Sequence, residues 1–159
     1  MRILSLYDGI GTARVALERA GIKVDKYYSS EVMPQSIAVS EYNYPGQIER
    51  LGSVVDCKQW NLGEIDLLIG GSPCIDLSVA MKDREGLEGK QSSLFWHFVE
   101  CIELYKPKHF ILENAASMKK ADRDKISEVL GVEPIVINSK LVSAQSRKRL
   151  YWTNIKGVV

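Results

Sequence analysis

Two short segments each place a reactive side chain directly after an apolar run. Ile65-Asp66-Leu67-Leu68-Ile69 leads into Gly70-Gly71-Ser72-Pro73-Cys74, and His109-Phe110-Ile111-Leu112 leads into Glu113-Asn114. Both runs read as buried parallel strands. The carboxyl ends of neighbouring strands in an open α/β sheet lie side by side and form the functional crevice, so the thiol of Cys74 and the carboxylate of Glu113 come within reach of one small substrate. A thiol of ordinary pKa, near ~8.5, is only a few per cent thiolate at neutral pH and needs a positive environment to serve as a nucleophile. The bland alternatives are a buried apolar cysteine and a glutamate that caps a helix or pairs with a cation. Gln145-Ser146-Arg147-Lys148-Arg149 supplies the cations. In an extended segment Arg147 and Arg149 share one face while Lys148 points away. Two guanidiniums beside the Pro-Cys turn would bind carbonyl or phosphate oxygen and lower the thiol pKa. Without such a neighbour the segment is simply a basic patch before a strand.

A third strand end, Leu4-Ser5-Leu6-Tyr7, opens into Asp8-Gly9-Ile10-Gly11-Thr12. It lacks the full G-x-G-x-x-G pattern that cradles a pyrophosphate. A ligand carrying a sulfonium and a zwitterionic amino-acid end, such as S-adenosylmethionine, tolerates Asp8, and the glycines let the backbone approach closely. Glu31 ends the next strand, where an acid usually accepts hydrogen bonds from ribose hydroxyls. A turn aspartate and a surface glutamate would look the same in sequence.

The elements that must position these groups alternate. Residues 2–7 read as a strand, 11–20 as a helix ended by Gly21, and 24–30 as strand two. Pro34 opens a helix through about Tyr42. Short strands follow at 48–51 and 65–69. Residues 75–90 are polar and Gly-containing and read as a mobile loop. A helix at 91–105, a strand at 109–113, a helix at 122–130 capped by Gly131 and a strand at 134–138 complete the alternation, and 150–155 has strand character. Such alternation predicts a three-layer α/β sandwich with a mostly parallel sheet, without fixing the strand order.

The 159 residues suit one domain, with 45% hydrophobic and 26% charged residues, an ordinary globular balance. No apolar stretch approaches the length of a membrane span, and the opening residues run straight into a strand instead of a secretory signal. Three cysteines, Cys57, Cys74 and Cys101, are odd in number and lack metal spacing in the sequence, which suits a reducing, intracellular compartment. A net charge of +1 does not announce a nucleic-acid partner, but its distribution is uneven. Residues 106–159 hold eleven Lys/Arg against five Asp/Glu, and residues 1–105 hold ten against fifteen. A basic second part can face phosphate or merely solvent.

Together, Leu4-Ser5-Leu6-Tyr7-Asp8-Gly9-Ile10, Ser30-Glu31-Val32, Ile69-Gly70-Gly71-Ser72-Pro73-Cys74, Glu113-Asn114 and Gln145-x-Arg147-x-Arg149 resemble the DNA cytosine-5 methyltransferases, with the closest look to the animal de novo-type enzymes. The resemblance covers nearly the whole chain. It implies a Rossmann-like S-adenosylmethionine-dependent methyltransferase fold, double-stranded DNA as substrate, S-adenosylhomocysteine as product and no metal. The setting it implies is cytoplasmic in a bacterium or phage host, in restriction-modification, or nuclear in a eukaryote. By the same resemblance Cys74 attacks cytosine and Glu113 contacts N3 and the exocyclic amine. Arg149 holds O2, Arg147 supports the catalytic loop or the DNA backbone, and Ser78 contacts phosphate near the flipped nucleotide. The cofactor positions become Asp8, Gly9, Ile10, Gly11, Thr12, Glu31, Val32, Ser53, Val54, Ser72 and Pro73.

The departures are specific. Ile75 stands where family members usually carry Asn or Gln, Ala115 where they carry Val, and Ser53 where an Asp often meets the adenine amine. The target-recognition region and the final motifs that follow it are not found in residues 1–159, so the expected unit is a catalytic core, either a fragment of a longer enzyme or one completed by a second subunit or a further copy. The competing expectation is a catalytically weak or inactive scaffold that binds cofactor or supports a partner.

Overall fold

The computed structural model of the chain describes residues 1–71 and 93–157. Among them run β1 (Arg2–Leu6), α1 (Thr12–Arg19), β2 (Lys26–Ser30), α2 (Pro34–Asn43), β3 (Glu49–Arg50), β4 (Leu67–Gly70), α3 (Ser93–Tyr105), β5 (His109–Ala115), α4 (Lys120–Leu130), β6 (Ile135–Asn138) and β7 (Lys148–Thr153). Short 3₁₀ turns occupy Val54–Gln59 and Ser139–Leu141. The strands form one sheet in the order β3-β2-β1-β4-β5-β7-β6. The first five are mutually parallel, and β7 enters between β5 and β6 antiparallel to both.

Alternation along the buried strands makes the three layers. On β1, Ile3 packs on one face with Leu17 of α1, Tyr27, Ile48 and Leu67. Leu4 and Leu6 pack on the other with Phe95, Phe98 and Cys101 of α3, Ile126 of α4 and Trp152 of β7. A period of two sends neighbouring residues to opposite faces, so helices must cover both. The expected α/β sandwich with a mostly parallel sheet is the observed fold.

Gly70 ends β4 because of what lies over it. A Cβ there would sit 2.7 Å from Cδ2 of Phe98, so α3 can rest on the strand end only above a glycine. α1 starts after a turn in which Tyr7, Gly9 and Gly11 all take positive φ, at 57°, 56° and 82°. Two glycines carry that left-handed backbone without a Cβ penalty. Gly131 closes α4 in the same conformation, as expected.

Some boundaries moved. The strand expected at 65–69 begins at Leu67, that at 24–30 begins at Lys26, and the helix expected at 122–130 begins at Lys120. β5 runs past the expected end at 113 to Ala115, so Asn114 also lies inside the strand. The cause is β7, which pairs with β5 from Ile111 to Ala115. The loop expected at 75–90 lies outside the described residues.

Candidate active site

Parallel strands β1 and β4 are sheet neighbours whose chains continue to opposite sides, the place where an α/β sheet opens a crevice. A cleft of about 560 Å³ is found there. It is lined by the β1 end and turn from Ser5 to Ile10, by Thr12, Ala13 and Ala16 of α1, by Ile69 to Gly71, and by Ile111, Glu113, Arg147 and Tyr151. The volume falls within the range of small-molecule and cofactor sites.

Its floor is a buried hydroxyl cluster around Asp8, which is 6% exposed. Ser5 Oγ and Tyr27 Oη donate to Oδ1, both at 2.6 Å, and Ser29 Oγ donates to Oδ2 at 2.8 Å. Arg50 Nη1 in turn donates to Ser29 Oγ at 3.3 Å, bringing a cation to the outer side of the cluster. Burial, and then the charge of Asp8, push the Tyr27 phenol well above its ordinary range, so it stays a donor. Asp8 lines the cleft, and its carboxylate also holds the turn from below. Nothing in the motif pointed to Ser5, Tyr27, Ser29 or Arg50. Their one signal is that Ser5 and Ser29, polar residues in otherwise apolar strands, are register partners.

Glu31 fastens the turn from the side. Its Oε2 accepts from the Gly9 amide at 2.7 Å, and its Oε1 from the Val32 and Met33 amides, both at 2.8 Å. A carboxylate offers about four acceptor positions, so one remains for a ligand hydroxyl. Val32 and Ile10 are exposed beside it. Gly11 lies between the cleft-lining Ile10 and Thr12. Ser53 and Val54 do not line the cleft. Ser53 caps the 54–59 turn by accepting from the Val55 amide, and Val54 is buried in the core.

Opposite the turn, Arg149 Nε meets Glu113 Oε1 at 2.7 Å. In the register Ala115 faces Arg149 and Glu113 faces Tyr151, so the pair is a diagonal contact across antiparallel strands. Glu113 Oε2 also lies 3.1 Å from where a Cβ of Gly71 would be, so a side chain there would press the carboxylate back by a few tenths of an ångström. Arg147 precedes β7 and lines the cleft together with Glu113, to which Arg149 turns, so both guanidiniums lie on the cleft side although only Arg149 belongs to the strand. Gln145 is exposed beside Ser146 and Arg147 in a shallow depression. Ser72, Pro73, Cys74, Ile75 and Ser78 lie outside the described residues. The last described residue before them is Gly71, at the Glu113 carboxylate.

The sheet order and the glycine turn over the β1–β4 crevice define a nucleotide-type α/β fold, with a carboxylate–guanidinium pair at the crevice. A model of the C-5 cytosine-specific DNA methylase family matches residues 1–157, and the chain belongs to that family. It is 30% identical over 168 residues to the orphan methyltransferase M.SPRI of Bacillus phage SPR, a match covering 98% of this chain and 38% of that protein. It is 31% identical over 160 residues to the type II methyltransferase M.HpaII of Haemophilus parainfluenzae, covering 93% and 44%. Among solved structures, one from E. coli described as a prophage-encoded DNA modification methyltransferase superposes with a TM-score of 0.72 and 21% identity. That match covers 96% of this chain and 46% of the other, and the shared architecture is the methyltransferase fold. The chain thus spans about two fifths of the length of these curated relatives. No described helix is long and apolar enough to cross a membrane.

Proposed function

We propose that residues 1–159 are the catalytic core of a DNA (cytosine-5-)-methyltransferase acting on a cytosine flipped out of double-stranded DNA. The observation that carries this is the Glu113–Arg149 pair held against Gly71, three residues before Cys74, on the rim of a cleft whose opposite wall is the glycine turn. The donors fit S-adenosylmethionine: two glycines admit close approach, and Glu31 keeps an acceptor position for a ribose hydroxyl. Asp8, Gly9, Ile10, Gly11, Thr12 and Glu31 would hold it, with Val32, Ser72 and Pro73 around the adenine and methionine ends; Ser53 and Val54, which do not line the cleft itself, would complete the adenine end. When bound, the cofactor supplies the methyl group. Within the family, we take the opening and Glu31 segments as nearest the animal de novo-type enzymes.

The chain's own residues do the rest. The Cys74 thiolate adds to cytosine C6, which drives electron density toward C5. Glu113 hydrogen-bonds N3 and the exocyclic amine and stabilises the charge that develops. Arg149 orients Glu113 and reaches O2, and Arg147 and Ser78 meet phosphate. After methylation, loss of the C5 proton and elimination of Cys74 restore the ring. The reacting carbons are shielded within a duplex, so the base leaves the stack at a cost of a few kcal/mol. Base-specific contacts would come from polypeptide outside these residues, whether a longer chain, a second subunit or a further copy supplies it.

A duplex carrying 5-fluorocytosine tests the assignment, because fluorine blocks the final proton loss. With S-adenosylmethionine, and with and without a candidate completing subunit, a protein–DNA adduct is expected, with mass spectrometry placing the link on Cys74. An adduct that persists in Cys74→Ala refutes the assigned nucleophile.

A further inference from the structure

One cluster of ligand-type side chains stands apart from the cleft. The 3₁₀ turn Val54–Gln59 lies against α3, and Cys57 of that turn faces His97 and Glu100 of the helix. Positions 97 and 100 are one helical turn apart and share a face. Cys57 Sγ donates to Glu100 Oε2 at 3.4 Å, and His97 Nδ1 lies 3.0 Å from the same oxygen. The three donor atoms all fall within 4.8 Å of one another. Tetrahedral zinc, with bonds of about 2.0–2.3 Å, keeps its ligand atoms about 3.3–3.8 Å apart, so only small shifts would seat an ion.

We propose that Cys57, His97 and Glu100 form a binding site for a divalent cation of the zinc class, pinning the 53–59 turn to α3. The donor set chooses the ion. A thiolate beside an imidazole and a single carboxylate suits zinc and not magnesium or calcium, which take oxygen. The surroundings fit a built site. Tyr105 Oη donates to the Cys57 carbonyl and to the Trp60 carbonyl, fixing the turn from behind. Lys58 holds Glu100 Oε1 at 2.8 Å and so turns Oε2 toward the thiol and the imidazole. Binding exchanges the thiol proton, which leaves to solvent, for the metal–sulfur bond, and no electrons move. Three protein donors leave the fourth position to water. In the sequence the cysteines have no metal spacing. The fold makes the cluster, because its ligands come from segments forty residues apart.

The test needs neither DNA nor S-adenosylmethionine, so it stands or falls separately from the methyl-transfer proposal. The purified chain, kept under a phosphine reductant, is titrated with Zn²⁺ against a chromophoric chelator and with Co²⁺ by absorbance. One equivalent of metal and a thiolate-to-cobalt charge-transfer band are expected. Cys57→Ser should remove the band, and His97→Ala should weaken zinc by about tenfold or more, since even outer-shell changes cost that much. Cys74→Ser should leave both unchanged. Absence of the band from the wild-type chain overturns the proposal whatever the variants do. So does uptake that survives both Cys57→Ser and His97→Ala, or that disappears with Cys74→Ser.

Discussion

Three backbone amides already converge on the carboxylate of Glu31, so it is a fixed acceptor before any ligand arrives. Its substitution therefore reaches the ligand twice, through the lost acceptor and through the freed Gly9 turn. Glu31→Ala should weaken S-adenosylhomocysteine binding by ~1.5–3 kcal/mol, the usual worth of a charged hydrogen bond, and calorimetry on the folded variant decides it. Unchanged affinity would remove Glu31 from the cofactor site. Asp8 asks for a different measurement. Tyr27→Phe takes away one of its three hydroxyl donors and leaves a buried carboxylate short of a partner, which costs about 1–3 kcal/mol. The urea midpoint should fall accordingly, and a midpoint unchanged from the wild type would mean that solvent replaces the hydroxyl. Glu100 gives a pH signature. Hydrogen bonds from Lys58 and then His97 hold its pKa down at about 2, against an ordinary 4.5. A carboxylate depressed in the folded state stabilises it above the ordinary value, and that contribution is lost as pH falls from about 4.5 toward about 2. In Glu100→Gln the stability should vary less across that window. Parallel acid-unfolding curves for the two proteins would show that the ion pair carries no weight.

At the scale of elements, the contact between β4 and α3 is decided at Gly70. An alanine there would meet the Phe98 ring at 2.7 and 2.9 Å, both far inside normal contact. Gly70→Ala should cost about 1–3 kcal/mol by overpacking, and Phe98→Leu should return part of it in the double variant. Simple additivity in denaturant unfolding would show that the two do not touch. The same elements show what was legible beforehand. Strands β1, β4 and β5 announce themselves by apolar runs, and with β2 they bring Asp8, Glu31, Gly71 and Glu113 to the side of the sheet where the site is. The position of β7 was not legible. Pairing between residues 111–115 and 149–153 is set by the sheet as a whole, and no local pattern encodes it. For that reason the strand was expected to stop at 113, and the ion pair of Arg149 with Glu113 was not foreseen. The hydroxyl cluster beneath Asp8 escaped for a related reason: a serine in a strand has the same letter whether it faces solvent or a buried carboxylate.

Across the whole molecule, charge is divided as the sequence divides it, with the basic surplus in residues 106–159. Arg147, Lys148 and Lys140 are exposed near the end of β7. Phosphate contacts of this kind position a duplex without reading it. The 159-residue chain should therefore bind DNA weakly, with steep salt dependence and little regard for sequence. Titration against varied duplexes at two salt concentrations checks it, and tight, selective binding would place a base-reading surface on this chain. The placement of β7 also has a bearing on how the molecule comes into being. Strand β6 has no sheet neighbour except β7, which follows it in the chain. During synthesis β1, β4 and β5 can zip together as they emerge, while β6 waits unpaired for residues 148–153. Glu113 meets its guanidinium only when that last strand slides in. Among the described strands β7 comes last in the chain, so a nascent sheet of the first five carries the Glu113 carboxylate before its guanidinium partner exists.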